Sequence, residues 1–419
     1  MSNLKTMHRT HTCGELRAEH AGKRTKLAGF VHHTMEGGSF VLRDEYGKTL
    51  VVAGPGSVAE VRETVPTLRR GDVVRVEGEV SKRVMPALSN PTGEVYALPD
   101  AIEVLARTDQ IPHEAETQDP PLEYRHLELR RPEIQRALRE RSRLLLGARR
   151  YLTEKGFAEV ETPLLTSWTK HDADSFLAPT DSDLCYGLVG TRQLYQQLLT
   201  VADYERYFQV GRRFRKERRF DGSRQPEYSV LELGMAYVGE DEVIEVVEGL
   251  LAHLVETVLG RTLERPFMRV SYDEALKRFG TARPDLRHGL ELKALTPAVR
   301  AAKSFRFIVR EEGTGRGFRV PGAADQIPDD ELDRLHSELR SVAVHKLAWL
   351  KVGAEGKVRG SGATDFAEKL NRPLQAQPGD LLLVVGGPNQ AATDSVADEL
   401  CRRMVQRLNL APPERLSTA

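Results

Sequence analysis

The chain has 419 residues, 40% hydrophobic and 29% charged, with 61 Lys and Arg against 61 Asp and Glu. That length exceeds one ordinary core and predicts two or three domains. The balanced charge excludes a global basic field, so any nucleic-acid site must be local and no DNA partner is expected.

Cys13, Cys185 and Cys401 lie far apart without CxxC spacing, which argues against a disulfide framework or a zinc site and fits a reducing compartment. Residues 1–12 lack the apolar stretch of a signal peptide, and no apolar run approaches the roughly 18 residues a membrane span needs. A cytoplasmic protein without a membrane partner is expected.

Residues 27–31 (LAGFV), 39–43 (SFVLR), 49–53 (TLVVA), 72–80 (DVVRVEGEV) and 101–105 (AIEVL) are short β-type runs of period-2 character, with turns at Gly37-Gly38 and Tyr46-Gly47. Five strands in about 100 residues fit an OB-fold, with an SH3-like barrel as the alternative. Residues 108–121 (TDQIPHEAETQDPP) read as a linker. Pro132 suits a first helical turn, and 133–155 carries helical periodicity up to Gly156. An extended segment (157–165), a helix (194–201), a strand (207–213) and a helix (240–259) follow. From Pro266 the texture changes to an α+β module. Its helices are expected over 271–279, 329–344 and 393–408, and its strands over 305–309, 347–352 and 380–385. The expected domains are 1–107, a hinge at 108–130, 131–265 and 266–419.

One stretch is unusual. Arg212, Arg213, Arg215, Lys216, Arg218 and Arg219 fall within eight residues, around Glu217 and just before a second strand carrying Tyr228. A solvated charged face or a nonspecific RNA patch explains the charge alone. The hairpin context suggests more, because Arg213, Arg215 and Glu217 share one strand face, opposite Phe214. An Arg beside a carboxylate there can fork a phosphate while the acid accepts from an amine.

RFRKE…SRQPEYSVLELGM resembles motif 2 of a class II aminoacyl-tRNA synthetase, specifically the bacterial-type aspartyl enzyme. RTHTCGEL is similar to the opening of that family's anticodon domain, LEYRHLELRRPEIQRALRERSRLL to its hinge and first catalytic helix, and QLYQQLLTVADYERYFQVGRRFR to what precedes motif 2. GFAEVETPLL resembles motif 1, whose proline, here Pro163, lies at the dimer interface. Residues 266–410 are similar to the inserted domain, with FRVPG, LAWLKV and QPGDLLLVVGG as landmarks. The resemblance implies an α+β multidomain fold: an N-terminal OB-fold barrel, a class II antiparallel-sheet catalytic domain and a C-terminal α+β inserted-type domain.

It also implies two chemical steps, formation of an aminoacyl-adenylate from ATP and transfer of the acyl group to tRNA. Carried over by position, Arg215 clamps the α-phosphate, Glu217 bonds the adenine side, Tyr228 stacks on the base, and Arg224 and Gln225 belong to the ATP set. Glu232 receives the α-amino group, with Gln193, Gln196 and His171 beside it in the amino-acid set. Three departures stand out. Gln196 replaces a Lys that pairs with the aspartate side chain, which implies either drift or a substrate other than aspartate. The loop over the substrate, normally Glu-Gly-Ala-Arg-Asp, reads HDADS from His171. The chain stops at NLAPPERLSTA, where the sheet of the family resumes towards motif 3. The expectation is therefore a truncated paralogue, associated with tRNA or a synthetase or repurposed, or else a ligase whose active site a partner completes.

ATP is then the implied substrate, with Mg²⁺ lacking its usual ligands and no other metal site. GTGRG (Gly313–Gly317) reads as a loop. In the barrel, the family's Arg-rich segment is replaced by His32-His33-Thr34-Met35-Glu36, which implies weakened tRNA contacts. Phe40 is either a base-stacking ring or an inward core residue. Partners implied are tRNA, and a second copy or a full-length synthetase through motif 1.

Overall fold

The computed structural model of the chain describes residues 5–87, 90–109, 122–167, 176–181, 185–216, 225–305, 309, 312–361 and 367–411. It divides into two compact units, residues 1–143 and 144–419.

In the first unit, alternation of β-branched and polar residues produces strands β1 (Arg24–Met35), β2 (Ser39–Arg43), β3 (Lys48–Val52), β4 (Val73–Lys82) and β5 (Val95–Ala106). Helix α1 (Ala59–Thr64) lies between β3 and β4. The strands close a barrel in the order β1-β2-β3-β5-β4, the OB arrangement rather than the SH3-like alternative. Inward positions such as Leu27, Phe40, Leu42 and Val51 are wholly buried. The β1–β2 ladder slips between Val31 and His33, leaving His32 outside the pairing. Asp72 helps close the barrel: its carboxylate accepts from the Arg69 and Thr108 backbone and from Arg107. Helix α2 (Arg125–Glu128) precedes α3 (Pro132–Glu154), which begins on Pro132, a residue suited to a first helical turn.

The second unit holds a sheet built on β10 (Arg206–Phe214), with β6 (Ala158–Glu159) parallel on one side and β11 (Glu227–Met235) antiparallel on the other. A smaller sheet joins β7 (Leu165–Ser167), β8 (Leu177–Pro179) and β9 (Cys185–Leu188). Helices α4 (Gln193–Val201) and α5 (Glu240–Leu259) flank β10 and β11 in sequence. Ala148 and Leu152 of α3, Leu250 of α5, Phe157 and Phe208 form the buried core behind the β10–β11 sheet.

The remaining module centres on five antiparallel strands in the order β12 (Lys293–Ala294), β13 (Thr314–Val320), β16 (Leu381–Gly387), β14 (Lys346–Val352), β15 (Val358–Gly360). Around them lie α6 (Tyr272–Phe279), α7 (Thr296–Ala301), α8 (Asp329–Glu338), α9 (Ala367–Leu374) and α10 (Gln390–Arg407). Leu332 and Val396 pack with Leu381 and Leu383 on one face, and Val299 and Leu370 with Leu382 and Val384 on the other. Burial on both faces explains why LLLVV is continuously apolar in an antiparallel sheet.

Two expectations need correction here. Gly313–Gly317 is not a loop: from Thr314 it is β13. A Cβ on Gly315 would come within 2.4 Å of Val299, so the glycine lets α7 lie directly on the strand. Phe305 ends a short 3-10 turn, Lys303–Phe305, instead of opening a strand, and residues 306–308 lie outside the described set.

Candidate functional site

Strands β10 and β11 pair in register from Arg206↔Met235 to Phe214↔Glu227. Side chains alternate across this ribbon, so its two faces carry different chemistry. Phe208, Val210, Leu231, Leu233 and Met235 point into the apolar core with α3 and α5. The opposite face carries Tyr207, Gln209, Gly211 and Arg213 beside Tyr228, Val230, Glu232 and Gly234.

Arg192 organises that face. It stands at the N-cap of α4 and is 0% exposed. Its Nη1 donates to Glu232 Oε2 at 2.7 Å, and its Nη2 donates to the Arg212 carbonyl. The guanidinium lies over Gly211, where a Cβ would sit 3.0 Å from Nη2. Arg213 Nη2 lies 2.7 Å from Glu232 Oε1, an ion pair without hydrogen-bond alignment. Glu232 thus has a guanidinium on each oxygen, in a position only 8% exposed. Nearby, Thr162 donates to Gln209 Oε1 at 2.9 Å. Tyr207 donates to the Gln196 carbonyl at 2.9 Å, with its ring over Gly234.

Towards the open end of the hairpin the face becomes accessible. Tyr228 is 37% exposed, and Arg215 is exposed where its N–H donates to the Pro226 carbonyl at 2.9 Å. The result is a platform with a rigid, charge-locked inner end and a solvent-facing outer end that offers a cation and an aromatic ring. Such an end can hold an anion next to a planar ring.

The structure brings Arg213, Arg215, Tyr228 and Glu232 onto this ribbon. Gln225 is exposed just before β11, Gln193 is exposed at the start of α4, and Gln196 is partly buried one turn later. Glu217, Arg224 and His171 lie outside the described residues. Glu232, expected to receive an ammonium, is already held by two arginines. Pro163 is exposed beside Leu164 (40%) and Leu165 (50%), an apolar surface. Phe40 requires a correction. It is 0% exposed, because its position on β2 points into the barrel, so it offers no ring for stacking.

Sequence reasoning missed Arg192, Gln209 and Thr162. A signal existed for Arg192: a cation at a helix N-terminus opposes the helix dipole, so it calls for a nearby acid. The distance of 40 residues to that acid hid the pair.

Among the described residues, no group of three or more His, Cys, Asp or Glu side chains is placed to hold a metal ion. Glu232, the buried acid of the platform, is committed to arginines.

Residues 117–392 match the family described as tRNA synthetases class II (D, K and N), and residues 25–105 match the OB-fold nucleic acid binding domain. An aspartate–tRNA(Asp/Asn) ligase from Rubrobacter xylanophilus is 38% identical, covering 98% of this chain and 71% of that protein. One from Moorella thermoacetica is 36% identical, covering 100% and 72%. Among solved structures, asparaginyl-tRNA synthetase from Pyrococcus horikoshii complexed with asparaginyl-adenylate is similar at a TM-score of 0.56 and 20% identity. That match covers 98% of this chain and 100% of the other, and it speaks for the fold.

Proposed function

The chain belongs to the class II tRNA synthetases of the D, K and N group, and on that premise we propose that its β10–β11 face binds ATP and activates an amino acid as an adenylate for transfer to tRNA. The observation that carries this reading is the open end of the hairpin, where Arg215 and Tyr228 stand exposed beyond the locked inner end. In the first step a substrate carboxylate oxygen attacks the α-phosphorus, the bond to the pyrophosphate oxygen breaks, and pyrophosphate leaves. Arg215 stabilises the negative charge that gathers on the α-phosphate, and Tyr228 stacks on the base. Alignment and charge stabilisation do most of this work, with little call for general acid–base groups. In the second step a ribose hydroxyl of the RNA takes the acyl group, and AMP departs.

The amino-acid end supports a substrate other than aspartate. Gln196 supplies hydrogen bonds and no charge, which suits a neutral side chain better than a carboxylate. Glu232 pairs with Arg192 and Arg213, yet its Oε1 accepts no hydrogen bond and so keeps capacity for an incoming ammonium. Among the described residues β11 pairs with β10 alone, leaving one sheet edge open. Further strands, from a longer protein or from a partner, complete the platform there. Pro163 with Leu164 and Leu165, and the exposed Leu194, Leu198 and Val201 of α4, offer apolar surface for a second copy or a full-length synthetase. That surface also favours a second reading, in which the chain binds a synthetase without catalysing activation itself.

ATP–pyrophosphate exchange across a panel of amino acids tests these readings, with the chain alone and mixed with a full-length aspartate–tRNA ligase. Exchange with a neutral amino acid is expected. Full-rate exchange with aspartate by the chain alone would overturn the specificity argument, and no exchange by the chain alone, with none in the mixture beyond that of the added ligase, would favour the binding role.

A further inference from the structure

The two arginines on Glu232 are held in unlike ways. Arg192 is 0% exposed and commits its terminal nitrogens to hydrogen bonds with Glu232 Oε2 and the Arg212 carbonyl, so it is fixed. At this carboxylate Arg213 is held by charge alone. Its Nη2 stands 2.7 Å from Glu232 Oε1, yet that oxygen accepts no hydrogen bond, and the Arg213 Nε finds no hydrogen-bond partner among the described residues. The Arg213 side chain is 28% exposed, against 0% for Arg192, so one of the two cations has a way out to water.

The path of the Arg213 side chain matters as much as its end point. Arg213 stands opposite Tyr228 in the ladder, and Glu232 stands opposite Gln209. Four residues of β11 separate Tyr228 from Glu232, about 13 Å at the usual rise of a strand. Reaching Glu232 from there takes the arginine lengthwise along the ribbon, past Gly211, which carries no side chain to obstruct it. The guanidinium and its stem therefore cover the floor between the exposed ring and the buried acid.

Two physical arguments make that cover releasable. A buried N–H without an acceptor is costly, and hydration on swinging outward satisfies it. The charge balance is also kept when a second cation arrives, because Glu232 has two cations beside it before and after the exchange. A primary ammonium suits that place better than the guanidinium does. It is compact, and its three donors rotate about one bond to meet Oε1, whereas the planar fork takes its orientation from the stem.

We propose that Arg213 is a strap that holds the ammonium position at Glu232 and swings to solvent to admit the primary ammonium of an α-amino acid. The identity of the ligand rests on the adenylate reading; the releasable contact is read from the arginine itself.

Equilibrium dialysis of the full chain against each neutral proteinogenic L-amino acid tests it, with wild type beside Arg213→Met. Arg192 remains on Glu232 in the variant, so the fold should persist; Arg213→Gln takes its place should the methionine variant unfold. The amino acid that binds best should bind at least about tenfold more tightly to the variant, the gain expected if the strap is open in about one wild-type molecule in ten. The analogue of that amino acid lacking the amino group should bind the variant no better, or worse, because a cation has been removed. That opposite response separates ammonium exchange from simple widening of the site. No gain for any neutral amino acid in a folded variant, or an equal gain for the deaminated analogue, would overturn the proposal. ATP dialysed alone keeps the two readings apart. Absence of ATP binding by the wild type strikes the adenylate reading, whereas ATP bound by wild type and variant without an amino-acid gain strikes the strap alone.

Discussion

Replacing Arg192 with Met removes the cation that locks the inner end of the platform. Arg192 is 0% exposed and Glu232 8% exposed, so the variant leaves a buried carboxylate with Arg213 as its remaining ion-pair partner. Breaking a buried pair from one side costs about 3–5 kcal/mol. The lost donor to the Arg212 carbonyl adds about 1 kcal/mol, while the surviving Arg213 contact offsets part of the sum. A net loss of about 3–4 kcal/mol is expected. Because a chain with several cores does not unfold as one unit, the sensitive assay is hydrogen exchange of the β10 and β11 amides against urea. Glu232→Gln should cost a comparable amount by stranding Arg192. The double variant should recover at least about 1.5 kcal/mol of the two single losses, the coupling expected of directly contacting groups. A single-variant cost below about 1 kcal/mol, or additive losses, would refute the idea that this pair fixes the site.

Other outcomes follow from the same geometry. His32 titrates at about 4 when folded and near 6.5 in an unfolded chain. The unfolded state therefore binds the extra proton first, and the barrel loses stability as pH falls from about 6.5 towards 4. Solvent screening of this partly buried ring limits the loss to about 1–2 kcal/mol, and urea titrations of wild type against His32→Asn should show the slope shrink in the variant, with a remainder from His11, which burial also lowers. Gly234→Ala puts a methyl 2.3 Å from the Tyr207 ring, which should cost about 1–3 kcal/mol and raise exchange at Gly234 and its β10 partner. Phe40→Ala should cost about 3–5 kcal/mol of barrel stability; a variant of unchanged stability that loses RNA affinity would restore the stacking role.

Much of the architecture was legible because the pattern that makes a strand is local. The barrel strands announced themselves by alternation, and residues 381–385 by an unbroken apolar run. Glycine misled at Gly313–Gly317, since the residue that breaks a strand by propensity also permits a helix to pack directly upon one. Phe40 carried two readings because alternation defines faces without saying which is inside. The Arg213 and Arg215 side of the hairpin was readable from period 2. Arg192 was not, because its reason for being charged lies on another element and only the folded chain brings the two together.

The central claim is that the β10–β11 platform is an ATP site with Arg215 at the phosphates. The most direct measurement is the ATP dissociation constant of the wild type beside Arg215→Ala and Tyr228→Ala, made without any amino acid. The account predicts binding by the wild type and a weakening of about tenfold or more in each variant. Wild-type protein that ignores ATP, or variants that hold it as tightly, would contradict it.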